Sequence, residues 1–185
     1  DRGGIAASIL PMSAARNVLV HASVGRTGLG NMLFSWARAE VFRHRFGLPM
    51  LAPQWTQPKI GPLLRGEKDL RYYAGLFDNR GYVGGPRRML ALLSRRRVDG
   101  DSIGINAATL PSSCEGALVV FRGWQGWFRD DLSPHREYVL RRIESILSDA
   151  VKREIASFDL PLEIVAHVRR GDMRVQVPKG EETIA

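Results

Sequence analysis

Cysteine is almost absent: Cys114 is the single thiol among 185 residues. That excludes an internal disulfide framework and a cysteine-rich zinc site. Lysine is nearly as scarce, with 4 residues against 23 arginines. No apolar run approaches the ~20 residues that a bilayer-spanning helix needs, so no transmembrane helix is expected. The stretch Ile5–Leu10, interrupted by Ser8, is too short for a signal-peptide core. The start at Asp1, without a methionine, is expected to be a trimmed end that leaves any targeting segment out.

What remains is an ordinary globular composition, 44% hydrophobic and 25% charged, which excludes disorder as the main description. The length fits one domain, or one domain and part of a second. Basic residues outnumber acidic ones 27 to 19, for a formal charge of +8. The preference for arginine has two readings. Its planar fork suits phosphate and carboxylate, and a GC-rich genome also spells basic residues as arginine. Net charge alone decides neither fold nor ligand.

Residues 1–16 mix glycine, alanine, serine and arginine and are expected to be a loosely ordered lead-in. Asn17–Ala22 is a short β-branched run suited to a buried strand. A glycine-rich turn, Ser23–Gly30, follows it. Leu33, Phe34, Ala37, Val41 and Phe42 then recur at helical spacing. Asn31 is the expected N-cap, and Gly47 with Pro49 the stop. Leu48–Ala52 reads as a second strand, which completes a βαβ unit and implies a parallel sheet. Prolines and glycines break residues 53–66 into loops. Arg87–Arg97 is expected to be a short basic helix, and Ser102–Ile105 and Ala117–Phe121 strands. Ser133 and Pro134 are expected to open one long helix, with Val139, Leu140, Ile143, Ile146, Leu147 and Val151 on its buried face. Leu162–Val168 reads as a last strand. The expected division is a lead-in at 1–16, an α/β domain at 17–160, and the opening strand of a further domain at 161–185.

Two segments carry candidate chemistry. Gly25, Gly28 and Gly30 lie between a strand and a helix, where backbone amides can face an anion or a sugar. Their spacing matches neither the dinucleotide fingerprint nor a P-loop. They serve equally well as a tight turn requiring positive φ. Farther on, Arg169 and Arg170 follow an apolar strand and precede Gly171 and Asp172. Ligands of open α/β sheets bind at the carboxyl ends of strands. Adjacent arginines there can hold a diphosphate through charge-assisted bidentate bonds, with Asp172 bracing one guanidinium. An exposed ion pair at a strand end has the same sequence.

These residues carry a resemblance. His167-Val-Arg-Arg-Gly-Asp172 resembles the H-x-R-R-G-D motif of α-1,2-fucosyltransferases, shared more loosely by α-1,6- and protein O-fucosyltransferases. Arg26–Phe34 is similar to the G-G-L-G-N-Q-M-F segment near the start of the α-1,2 family, with Met32 where the family's glutamine stands. An aromatic segment, Gly126-Trp-Phe128, falls between them as in the family. The resemblance covers residues 17–175. It implies the Rossmann-like amino-terminal domain of a B-type glycosyltransferase and the start of its donor domain. Because the sequence ends 13 residues past Asp172, most of the donor domain is expected to be absent.

By the same resemblance, the activity is inverting transfer of L-fucose from GDP-fucose to the 2-hydroxyl of a galactoside in a glycan. No metal is expected, so arginine must neutralise the leaving diphosphate. Arg169 and Arg170 are the implied phosphate clamp, with Asp172 its brace. His167 and Gly171 flank the clamp, and Gly28, Gly30 and Asn31 line the interdomain cleft. GDP-fucose and a galactoside glycan are the implied partners, with peripheral membrane association compatible with the charge and nucleic acid not expected. The alternative is a non-catalytic module that binds a glycan or a nucleotide sugar.

Other residues admit both plain and functional readings. Trp124, Trp127 and Phe128 suit a sugar-stacking platform or a core under a turn. Arg95–Arg97 suits a solvated basic loop or an anionic surface. His21, His44 and His135 lack metal-ligand spacing, with His44 expected to face solvent. Cys114 has no histidine beside it and is not expected to act as a nucleophile.

Overall fold

The computed structural model describes residues 17–24, 28–56, 73, 75–122 and 131–157. They form a mixed α/β unit around a parallel sheet. Strand β1 (Leu19–Ala22) pairs with β3 (Leu118–Phe121), which pairs with β2 (Arg97–Asp99). Single-residue parallel bridges, Val20 to Met50 and Leu51 to Val83, extend the sheet beyond β1. From edge to edge the order is Val83, Met50–Leu51, β1, β3, β2, with every pairing parallel.

All four residues of β3 are buried, as a central parallel strand covered on both faces must be. Helix α1 (Leu29–Phe46) lies on the face that carries Val20, Ala22, Val119 and Phe121. Helix α2 (Gly85–Ser94) lies on the other, where Ala91 and Leu92 pack on Leu118, Val120 and Leu51. The expected strand–helix order and parallel pairing are present, but the strand expected at Leu48–Ala52 is reduced to single bridges at Met50 and Leu51. Helix α1 ends as its sequence signals: Gly47 adopts φ 63°, and the amides of Gly47 and Leu48 reach back to the carbonyls of His44 and Arg43.

The start of α1 differs from expectation. Gly28 is the N-cap, and Gly30 and Asn31 lie inside the first turn. Tyr73 Oη accepts the Leu29 amide at 3.1 Å, so no capping side chain is needed at the expected position. Phe34, expected on the buried face, is about half exposed.

Ser102–Ile105 is not a strand. The strand is β2, and Gly100–Ile103 forms a helical turn, α3. Asp99 caps it by accepting the Asp101 amide at 3.2 Å and the Ser102 hydroxyl at 2.6 Å. Such local side-chain bonds to the backbone outweigh a weak strand propensity.

The single long helix expected after Ser133 is instead three pieces. A 3-10 turn at Ser133–His135 leads into α4 (Arg136–Ile146), and α5 (Asp149–Ala156) follows a break at Leu147. Leu147 bridges to Phe77, and Ile146 O and Ser148 N bond to Asp78 N and Leu76 O. Pairing with residues 76–78 thus replaces one helical turn, and Ser148 recaps the chain at Val151 N. Leu140 consequently faces solvent.

Candidate functional site

The carboxyl ends of β1 and β3 lie side by side, where open parallel sheets bind ligands. Ser23 N donates to Phe121 O at 2.8 Å and holds the two ends together. Gly28, Gly30 and Asn31 open α1 at this edge. Gly28 has φ −67°, and neither it nor Gly30 has a positive φ. A Cβ added at Gly28 or Gly30 would meet no atom of the described residues within 4 Å. The positive-φ reading therefore fails for these two glycines. Packing among the described residues does not require them. The amides of Gly30 and Asn31 lie in the first turn of α1, where no carbonyl of the helix itself can accept them.

The exit from β3 is fixed from both sides. Asp101 Oδ2 accepts the Arg122 amide at 2.8 Å, and Ser35 Oγ donates to the Arg122 carbonyl at 2.9 Å. Asp101 also pairs with buried Arg38, whose other nitrogen reaches Asp131 at 3.2 Å. One arginine of α1 thereby ties that helix to α3 and to Asp131.

A second charged group of α1 is more deeply enclosed. Glu40 is fully buried, and its carboxylate accepts five bonds. Arg43 donates from Nε and Nη2, each at 2.8 Å, and Arg142 Nε donates at 2.8 Å. The Tyr82 and Tyr138 hydroxyls complete the set at 3.1 and 3.0 Å. Burial acts to raise the carboxyl pKa, but the bonds and charges of Arg43 and Arg142 outweigh it and hold it below the usual value. Burial, then the Glu40 charge, pushes Tyr82 up to about 12. Tyr82 also accepts from Trp36 Nε1 at 3.1 Å and sits beneath both guanidiniums. With every lone pair occupied and no exposure, this cluster has the form of a structural tie.

His21 projects from β1, with Nδ1 buried and lacking a hydrogen-bond partner. Burial, then the charges of Arg88, Arg97 and Arg122, lowers its pKa to about 4. It is a neutral imidazole beside three cations, which suits neither metal binding nor proton donation near neutrality. Among the described residues no group of three His, Cys, Asp or Glu side chains could hold a metal.

The Arg95–Arg97 run is more engaged than a solvated loop. Arg95 donates to Asn17 O and Arg96 to Ser113 O, while Arg97 begins β2. His44 is exposed as expected, stacked on Tyr138 at 4.2 Å. Cys114 is fully buried, and burial pushes its thiol pKa up, which agrees with an inert thiol.

His167, Arg169, Arg170, Gly171 and Asp172 lie outside the described residues, as do Trp124 and Gly126–Phe128. The structure thus brings together Gly28, Gly30 and Asn31 from the expected site. Arg38, Glu40 and Asp101 escaped the sequence reading. For Arg38 and Glu40 the signal is their place within an otherwise small and apolar run, Ser35–Phe42; Asp101 has no comparable signal. No described helix is long and apolar enough to cross a membrane. Comparison of the chain with protein-family models, curated proteins and solved structures gives no significant match.

Proposed function

We propose that the chain belongs to a glycosyltransferase of the α-1,2-fucosyltransferase type, acting on GDP-fucose and a galactoside. The observation that carries the reading is the glycine segment. It enters α1 at the carboxyl edge of a parallel sheet, with no described atom near an added Cβ at Gly28 or Gly30 and with Gly30 and Asn31 amides that the helix itself cannot bond. A ligand approaching that edge gives a reason for glycines that neither φ nor packing demands. The order of motifs in the sequence, glycine segment first and Arg169-Arg170-Gly171-Asp172 last, supports the same reading. On this proposal the parallel sheet belongs to the amino-terminal half of a B-type glycosyltransferase. Arg169 and Arg170 neutralise the departing diphosphate and Asp172 orients them. Gly28, Gly30 and Asn31 line the cleft, His167 and Gly171 shape the strand end, and no bound metal takes part.

Calorimetric titration of GDP and GDP-fucose tests it. Binding by the chain that disappears in Arg169→Ala/Arg170→Ala is the expected result. A loss of roughly a hundredfold is expected, because two charged hydrogen-bonding groups go. Undiminished binding in the double variant refutes the clamp.

A further inference from the structure

A cleft of about 480 Å³ opens between the carboxyl ends of the sheet at Leu51 and Val83. It arises from the topology. The chain leaving Leu51 carries Trp55 onto the α1 side, where Phe77 also packs, whereas the chain leaving Val83 turns into α2 on the opposite face. Connections that diverge in this way leave a crevice between adjacent strand ends. The volume is in the range of small-molecule sites.

The chemistry of the walls is uneven in an informative way. Trp55 and Phe77 form one wall, with ring centroids 4.5 Å apart. Trp55 is almost wholly buried, yet its indole N–H has no hydrogen-bond partner, a cost that native interiors rarely carry. Facing them are Gly84 and Gly85 at the start of α2, with no added-Cβ contact within 4 Å and no capping side chain. Arg88 lies one turn into α2. Its Nε donates to Ala52 O at 2.9 Å, which orients the guanidinium across the two strand ends. Among the described residues its terminal nitrogens have no hydrogen-bond or ion-pair partner. Asn79 and Thr56 add polar groups, and among the described residues no carboxylate lines the cleft.

We propose that this cleft binds a sugar ring bearing an anionic substituent, either a carboxylate or a phosphate. The sugar's apolar face lies against Phe77 and Trp55, and its hydroxyls meet Asn79 and Thr56. The anion sits between the Arg88 guanidinium and the amino end of α2, where the macrodipole favours negative charge. The proposal does not depend on the fucosyl-transfer reading.

The test is calorimetric titration of the 185-residue chain with glucuronic acid, glucose 1-phosphate, glucose and inorganic phosphate. At least one anionic sugar is expected to bind roughly tenfold or more tighter than glucose and than phosphate, and which one does so identifies the anion. Arg88→Met is expected to weaken that ligand at least tenfold, while Arg88→Lys retains most of the binding. Phe77→Leu weakens the anionic sugar but leaves phosphate unchanged. Near-UV circular dichroism checks that each variant is folded. Absence of anionic-sugar binding overturns the proposal. So does phosphate binding as tightly as the sugars, or equal behaviour of the Met and Lys variants.

Discussion

At the residue scale, His21 converts burial into a dependence on acidity. In the unfolded chain it titrates near 6.5, while in the fold burial, and then Arg88, Arg97 and Arg122, holds it near 4. Between those values the unfolded chain takes up a proton that the folded chain refuses. Stability is therefore fully present above about pH 6.5 and declines as the pH falls toward 4. The loss from this one group is at most about 3 kcal/mol. His21→Leu is expected to flatten that part of the profile. Urea unfolding at pH 7.5 and 4.5 checks it, because the carboxylates common to both proteins cancel in the difference. An equal acid loss in variant and wild type contradicts the assignment.

At the scale of elements, the tightest fit is where α3 meets β3. A Cβ on Gly100 would come within 2.6–2.8 Å of the Phe121 ring. That ring is fully buried and held against Phe42 at 5.2 Å, so it has no room to withdraw. Gly100→Ala is expected to cost about 1–3 kcal/mol, as overpacking of a filled core does, read as a lower midpoint in urea. Phe121→Leu combined with it should recover part of the loss.

The same elements show which parts of the fold are legible in the sequence. The run at 118–121 and the helix stop at Gly47 can be read directly, because a short β-branched run and a left-handed glycine are local signals. The break at Leu147 cannot. Its cause is pairing with Leu76 and Asp78, some 70 residues away, and Leu147 itself is a good helix former. The α1 N-cap is hidden for a similar reason, since Tyr73 caps it from a distance of 44 positions. At the candidate site, the glycines are visible as a motif, but the open space around them is a tertiary fact. Trp55 and Arg88 belong to different connections of the sheet and line one cleft only because of the strand order.

At the scale of the whole molecule, the Glu40 cluster joins three separate segments: α1, the stretch containing Tyr82, and α4. Glu40→Gln removes the charge that Arg43 and Arg142 share and turns a donor toward donors. The expected cost is about 3 kcal/mol, the low end for a broken buried pair because both guanidiniums reach solvent. Beyond the midpoint, a lower urea m-value or a separate early transition of α4 is expected, since α1 and α4 lose their principal polar link. Coincident loss of all probes with an unchanged midpoint contradicts this role.

The tie also has a consequence for biosynthesis. Arg142 lies 102 positions beyond Glu40. At about 5–20 residues per second, a ribosome delivers it roughly 5–20 s after the glutamate. Throughout that interval α1 carries a carboxylate destined for a dry interior with part of its donor set still unmade. The nascent chain therefore cannot close this layer early, and the emerging helix must keep its polar face wet, or shielded by a chaperone, until α4 arrives.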